Sequence, residues 1–163
     1  MGSRARAADG ARTRRGISKS ARTPRPSLRR QETSVMTGVT YDTGALIAGD
    51  RNDRRMWALH VGFIAEEVVP HVPAPVLAEA WRGGSRQASL ARMLAGCEIE
   101  AMTSDLARRV GELAGRSGHG DIVDVAVAEG AARRDCDVIV TSNETHISQA
   151  IEATGKGIRV EPV

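Results

Sequence analysis

Short apolar runs alternate along the chain with longer segments in which apolar residues recur at helical spacing. Strands are predicted at 39–41, at 68–72, around Ile99, at 137–141 and at 158–160. Helices are predicted for the segments at 42–48, 53–64, 76–81, 89–94, 104–114, 121–133 and 143–153. Because strands alternate with helices, the pattern predicts an α/β fold with a short parallel sheet covered by helices on both faces.

Two segments give the clearest evidence for burial. In the second predicted helix, Met56, Leu59, Phe63 and Ile64 recur at helical spacing and are predicted to face the core. Within the strand predicted at 137–141, residues 138–140 form an uninterrupted apolar run, which is typical of a strand buried on both faces. It is therefore predicted to lie in the interior of the sheet.

The net charge of +3 is the sum of two regions of opposite sign. The first 35 residues carry nine Arg and one Lys against Asp9 and Glu32, a local charge of +8, whereas residues 36–163 carry a charge of −5. Because the first segment has almost no large apolar side chain, we predict that it is disordered. An RNA-binding arm, a presequence of mitochondrial type and sequence upstream of a true start at Met36 all fit its composition. Residues 36–163 have the size of one domain.

Hydropathy and cysteine content exclude several classes of protein. No segment approaches the roughly 18–20 continuous apolar residues that a membrane span needs, so no membrane association is expected. Cys97 and Cys136 are far apart and neither belongs to a Cys-x-x-Cys or Cys/His cluster. This argues against a disulfide scaffold or a structural zinc site and favours a reducing, cytoplasmic compartment.

Polar side chains gather where the predicted strands end. Asp42 ends the first strand, and Glu79 lies on the helix after the second. The remaining members follow in the second half of the chain: Asp121, Asp124, Thr141, Ser142 and Asn143. In parallel sheets, sites lie beyond the carboxyl ends of the strands. Oxygen ligands are those that Mg²⁺ and Mn²⁺ prefer.

Each of these residues also has a purely structural interpretation. Asp42 and Asp121 are suitable helix N-caps, and Thr141 with Glu144 matches a capping box. Independent caps, however, have no reason to gather at the same edge of one sheet. We therefore favour a metal site over four unrelated caps.

Four motifs occur in a specific order. A strand ends in Asp and opens an apolar helix at 41–48, and a proline-bearing segment leads to Glu at 73–79. An Asp opens an Ala-rich helix at 124–128, with Asp121 one turn earlier, and an apolar strand ends in Thr-x-Asn at 138–143. In this order and spacing the motifs resemble the PIN domains, and among them the VapC-type ribonuclease toxins of bacterial toxin–antitoxin pairs.

The resemblance covers residues 36–163 and implies a three-layer α/β/α PIN-like fold. It implies a divalent-metal-dependent endoribonuclease, the toxin of a type II pair, which leaves a 5′-phosphate and a 3′-hydroxyl. It also implies Mg²⁺ or Mn²⁺ as cofactor, RNA as substrate, and a cognate antitoxin and a second copy of the chain as partners. An antitoxin would cover a groove near the helix at 56–64. The implied catalytic residues are Asp42, Glu79 and Asp124, and the implied metal ligands are these three with Asp121 and Asn143.

One departure from the family pattern changes the expectation for activity. Asn143 stands where the family has an acid, so the site lacks one negative charge and is expected to hold a second cation less tightly. His146 stands where related sequences tend to have an acidic or polar residue. The alternative is a catalytically weakened PIN-like module that binds RNA or protein.

Five further residues have two interpretations each. Thr141 and Ser142 either support the ligands and the scissile phosphate or cap a helix, and capping is favoured. Arg82 either contacts the RNA backbone or lies on a solvated helix face, which is favoured. Trp81 either stacks on a base or packs against protein, and His119 either transfers protons or has only a surface role. For both residues the second interpretation is favoured.

Overall fold

The structure is a computed structural model that describes residues 36–163. Five strands are present in this part of the chain: β1 (Val39–Tyr41), β2 (His71–Pro73), β3 (Glu98–Glu100), β4 (Val138–Thr141) and β5 (Arg159–Pro162). Seven α-helices accompany them: α1 (Thr43–Asp50), α2 (Arg54–Ala65), α3 (Ala74–Ala80), α4 (Ala88–Leu94), α5 (Ser104–Ser117), α6 (Ile122–Arg133) and α7 (Glu144–Thr154). The predicted disordered segment 1–35 lies outside the described residues.

All five strands are parallel and form one sheet in the order β3-β2-β1-β4-β5. Helix α1 packs on α2, α3 and α4, and helices α5, α6 and α7 pack on one another. The chain moves from β1 through β2 to β3 at one edge of the sheet, and then crosses back to β4 and continues to β5 at the other edge. Because crossovers between parallel strands are right-handed, this change of direction puts the two groups of helices on opposite faces. The predicted α/β class, with a short parallel sheet between two helical layers, is confirmed.

The core is centred on β1 and β4, which are adjacent in the sheet. Every residue of both strands is buried, including the polar Thr40 and Thr141. The prediction of a buried strand at 137–141 is therefore confirmed. None of the helices described between residues 36 and 163 has the length and apolar character that crossing a bilayer requires.

The predicted second strand at 68–72 was placed too early in the chain. The strand begins at His71, and Val69 before it is exposed. Pro70 separates the two because proline has no N–H to donate to a sheet. The β-branched residues Val68 and Val69 therefore lie outside the sheet.

The buried face of α2 also differs from the prediction. Met56 and Phe63 are buried as expected, but Ile64 is exposed and His60 takes the third buried position. Residues 56, 60 and 63 lie on one helical face, whereas residue 64 is turned about 100° from residue 63. His60 is acceptable in the core because its Nδ1 lies 3.1 Å from the hydroxyl of Tyr41 on β1.

Candidate acidic site at the carboxyl edge of the sheet

Asp42 is fixed by the pairing of the two central strands. It directly follows β1, whose last residue Tyr41 lies opposite Val140 of β4, and its N–H donates to the carbonyl of Val140 at 3.0 Å. This register brings the carboxylate of Asp42 next to the last residue of β4. The Thr141 hydroxyl donates to Oδ2 of Asp42 at 2.6 Å.

The Asp42 carboxylate is nearly inaccessible, with 7% of the residue exposed. Its Oδ1 accepts the N–H of Thr43 at 2.6 Å, so Asp42 is the N-cap of α1. Burial raises the pKa of Asp42, and the negative charge of Asp124 raises it further, against the opposing effect of the hydrogen bonds from Thr141 and Thr43. The ionised form of this side chain is therefore held in an unfavourable environment.

Asp124 lies in the first turn of α6 and is paired with a histidine. Its Oδ2 is 2.9 Å from Nε2 of His119, and the two side chains are 15% and 12% exposed. Within the described residues His119 is its ion-pair partner, and no Lys or Arg pairs with Asp124 or with Asp42. The two neighbouring carboxylates thus have no permanent cation in residues 36–163.

The favoured surface role for His119 is wrong. Gly118 adopts a left-handed conformation with φ of 66° at the end of α5, and the N–H of His119 donates to the Ser117 hydroxyl at 3.1 Å. This turn directs the imidazole inward, toward Asp124. The sequence signal that could have indicated this contact is a histidine between two glycines, shortly before a helix with one acid at its N-cap and another in its first turn.

Glu79 is connected to Asp42 through a residue that the sequence analysis did not single out. The Thr43 hydroxyl donates to Oε2 of Glu79 at 2.7 Å, while the backbone of Thr43 is bound to Asp42. Glu79 is exposed near the C-terminal end of α3. It therefore lies at the rim of the site, with Thr43 between it and the buried carboxylate.

The predicted capping box of Thr141 and Glu144 is wrong. Asn143 is the N-cap of α7, with its Oδ1 accepting the N–H of His146 at 3.4 Å. The Thr141 hydroxyl instead accepts the N–H of Asn143 at 3.0 Å and donates to Asp42. Thr141 therefore supports the acidic residue and does not cap the helix, because strand pairing brings a carboxylate within its reach.

Asp121 and Arg82 make contacts away from Asp42. Asp121 is the exposed N-cap of α6, and its Oδ1 accepts the N–H of Val123 at 2.8 Å. Arg82 turns back on α3, where its Nη1 donates to the carbonyls of Ala78 and Trp81 at 3.3 and 3.0 Å. No described hydrogen bond or ion pair joins either residue to Asp42.

Ser142 and Trp81 differ in their relation to the site. A Cβ on Gly44 would lie 2.2 Å from the Ser142 hydroxyl and 2.6 Å from its backbone N, so glycine is required for this close approach. Trp81 is 43% exposed and lines an apolar groove with Leu77 and Leu94. Ser142 thus belongs to the wall next to Asp42, whereas Trp81 packs partly on α3 and α4.

The chemistry of the donors limits which cation fits. Among residues 36–163 there is no group of three or more His, Cys, Asp and Glu side chains arranged to hold a metal ion. Structural and catalytic zinc sites need three or four such ligands. Mg²⁺ uses one or two protein carboxylates and keeps several waters. Asp42 and Asp124, with neutral oxygens nearby, fit a hard and largely hydrated divalent cation.

No protein-family model matches the chain, and no curated protein matches it. Function is therefore inferred from the contacts of the acidic residues and from the motifs of the sequence.

Proposed function

We propose that this protein is a divalent-metal-dependent endoribonuclease. The observation that supports the proposal is the buried carboxylate of Asp42 at the carboxyl edge of a parallel sheet, because the negative charge of Asp124 raises its pKa and neither carboxylate has a Lys or Arg partner in the described residues. A buried carboxylate next to a like charge is costly unless a cation neutralises it. Mg²⁺ or Mn²⁺ would neutralise the carboxylates, and the same cation could promote phosphodiester hydrolysis.

In this proposal Asp42 and Asp124 hold the cation, with Glu79, Asp121 and Asn143 contributing from the rim. When bound, the cation supplies an activated water and neutralises the charge that develops on the phosphate. The residues behind the ligands hold them in place: Thr141 orients Asp42, and His119 orients Asp124.

The decisive experiment compares amide variants of the acids. Purified protein is incubated with RNA in Mg²⁺ or Mn²⁺, and the Asp42→Asn and Asp124→Asn variants are expected to lose cleavage while retaining their fold by circular dichroism. Glu152→Gln is the matched control, because Glu152 is an exposed carboxylate on α7. Full activity in either site variant, or cleavage that continues in EDTA, contradicts the proposal.

A second candidate is a catalytically weakened module that binds RNA or protein. The uncharged Asn143 and the missing three-ligand group in residues 36–163 favour it. Asn143→Asp separates the two, since the side chain keeps its capping role while restoring a charge. A nuclease is expected to bind Mn²⁺ more tightly after this change. A binding module is expected to show no saturable Mn²⁺ site that depends on Asp42.

We propose further that the nuclease acts as the toxin of a type II toxin–antitoxin pair. The motif resemblance supports this role, as does a cavity of about 330 Å³ along α2, which Leu59, Gly62 and Phe63 help to line. An antitoxin segment with apolar side chains fits this cavity. Induced expression in bacteria is expected to stop growth with the wild-type protein and to be harmless with Asp42→Asn. Sedimentation of the purified protein tests the expected homodimer.

A further inference from the structure

A cavity of about 430 Å³ opens directly beside the acidic site. We refer to it as the flanking cavity; the lining residues used below are Gly44, Ile47, Ala48, Arg51, Ser142 and Val163. It is large enough for a ligand of nucleotide size.

The flanking cavity shares a wall with the acidic site because of two short connections. Gly44 is two residues after Asp42, in the first turn of α1, and Ser142 directly follows Thr141, which donates to Asp42. The tight approach of Gly44 to Ser142 forms this common wall. A chain of nucleotides with one phosphate at Asp42 therefore has its neighbouring nucleotide within reach of the cavity.

The cavity combines apolar surface with one cation. Ile47 and Ala48 on α1 and Val163 after β5 supply the apolar part, and Arg51 at the end of α1 supplies the charge. Such a lining suits a base or ribose on one side and a phosphate on the other.

Arg51 has no competing carboxylate partner in the described residues. The nearby ion pairs join Arg55 and Arg159 to Glu161, and none in residues 36–163 includes Arg51. Asp53 also lines the cavity, but its Oδ1 accepts the N–H of Met56 as the N-cap of α2. Residues 36–163 carry a net charge of −5, which repels RNA as a whole. An arginine without a carboxylate partner next to the acidic site therefore supplies the local positive charge that an RNA phosphate needs.

We propose that the flanking cavity binds the nucleotide adjacent to the scissile phosphate, with Arg51 contacting a backbone phosphate and Ile47 and Ala48 packing against the base or ribose. This inference rests on the proposed nuclease function and adds a substrate subsite to it. It also gives Gly44 a role, because a side chain there would displace the common wall.

The test measures binding of a fluorescently labelled single-stranded RNA to full-length protein carrying Asp42→Asn, which prevents cleavage. Adding Arg51→Ala is expected to lower the affinity about tenfold and to reduce the slope of log affinity against log salt by about 0.7, the value for one phosphate contact on a single strand. Adding Ala48→Phe, which fills the cavity without changing charge, is expected to lower affinity with an unchanged slope. Arg109→Ala is the matched control, since Arg109 is an exposed arginine on α5 in the other helical layer.

The outcomes separate the subsite from the function. RNA cleavage by the wild-type protein, together with equal RNA affinities for the Arg51→Ala and Arg109→Ala variants, overturns the subsite alone. RNA binding by the Asp42→Asn protein can be too weak to measure even though the wild type cleaves RNA. In that case KM for RNA cleavage is compared between the wild-type protein and the Arg51→Ala variant. An unchanged KM overturns the subsite. Absence of both RNA cleavage and RNA binding removes the nuclease proposal and the subsite with it.

Discussion

The Thr141 hydroxyl donates a 2.6 Å hydrogen bond to Oδ2 of Asp42, a residue 99 positions earlier in the chain. Thr141 is fully buried and Asp42 nearly so. The bond fixes the orientation of the carboxylate and opposes the effect of burial on the pKa of Asp42. It also joins the ends of β1 and β4 at the edge where the acidic residues lie.

Replacement of Thr141 by valine is expected to impair both stability and the acidic site. Valine keeps the shape of threonine but leaves the buried carboxylate without its donor, at a cost of about 1–3 kcal/mol in the free energy of unfolding. Loss of the donor also raises the pKa of Asp42 further, so Mn²⁺ affinity is expected to fall. Denaturant unfolding and calorimetry measure the two effects. Thr141→Ser keeps the hydroxyl and is expected to retain most of the stability and most of the Mn²⁺ affinity. Equal losses in Thr141→Val and Thr141→Ser would contradict the role of the hydrogen bond.

Asp42→Asn is expected to stabilise the metal-free protein. A carboxyl group whose pKa is raised on folding costs stability once the pH exceeds its ordinary value of 3.8, because the unfolded state then ionises more readily. The gain is expected to be present at pH 7 and to vanish below pH 3.8, the ordinary pKa of the carboxyl group. Thermal unfolding across pH tests this, with Glu152→Gln as the control.

Mn²⁺ is expected to stabilise the wild-type protein more than the Asp42→Asn variant, the opposite of the order expected without metal. A cation that binds only the folded state raises its melting temperature by mass action. The wild-type protein is therefore expected to show a saturable increase in Tm with Mn²⁺, and Asp42→Asn is expected to show none. Equal increases in both proteins would place the cation elsewhere.

Removal of the His119 side chain is expected to weaken metal binding. The imidazole contacts Asp124 at 2.9 Å, and loss of such an orienting contact typically costs 10- to 100-fold in metal affinity or activity. His119→Ala is expected to lower Mn²⁺ affinity by at least about tenfold, measured by calorimetry. His119→Gln, which keeps a polar nitrogen, is expected to lose less. His146→Ala is the control, because His146 is exposed on α7; wild-type affinity in His119→Ala would contradict the orienting role.

Gly44 and Gly62 are expected to respond to alanine in opposite directions. A Cβ on Gly44 would lie 2.6 Å from the backbone N of Ser142, so Gly44→Ala forces the wall of the site apart at a cost of about 1–3 kcal/mol or more. Gly62 lies in α2 with no atom within 4 Å of a built Cβ, and Gly62→Ala is expected to stabilise the helix by about 0.5–1 kcal/mol. Denaturant unfolding of both variants measures the difference. A neutral Gly44→Ala would show that the close approach is not required.

Acid is expected to destabilise the fold below pH 6.5 through two histidines. Burial lowers the pKa of His71, with a further contribution from the charge of Arg134, and burial lowers the pKa of His60. Between the ordinary pKa of 6.5 and the lower folded-state values, the unfolded protein binds more protons, so stability is lost as the pH falls. Each histidine contributes at most about 1.4 kcal/mol per pH unit. His71→Gln is expected to remove about half of this slope in unfolding measurements from pH 7 to 5, and an unchanged slope would exclude His71.

The local pattern of apolar residues was sufficient to predict the helices and strands, but not all of their boundaries and buried faces. The strand at 137–141 and the amphipathic helix α5 were predicted because apolar spacing is set within a few neighbouring residues. The start of β2 was missed because the effect of Pro70 outweighs the β-branched residues before it. Ile64 was misassigned because α2 buries only one face, that of residues 56, 60 and 63, and residue 64 is turned about 100° from residue 63.

The sequence by itself determined that acids and amides follow the strands of a parallel sheet, since strand–helix alternation fixes which ends of the strands share an edge. The tertiary structure decided which partners those residues have. Thr141 donates to Asp42 because β1 pairs with β4, and His119 reaches Asp124 because the turn at Gly118 folds α5 back along α6. A hydroxyl or imidazole satisfies its hydrogen bonds with whatever lies nearest in space, and residues far apart in sequence become neighbours only when the chain has packed.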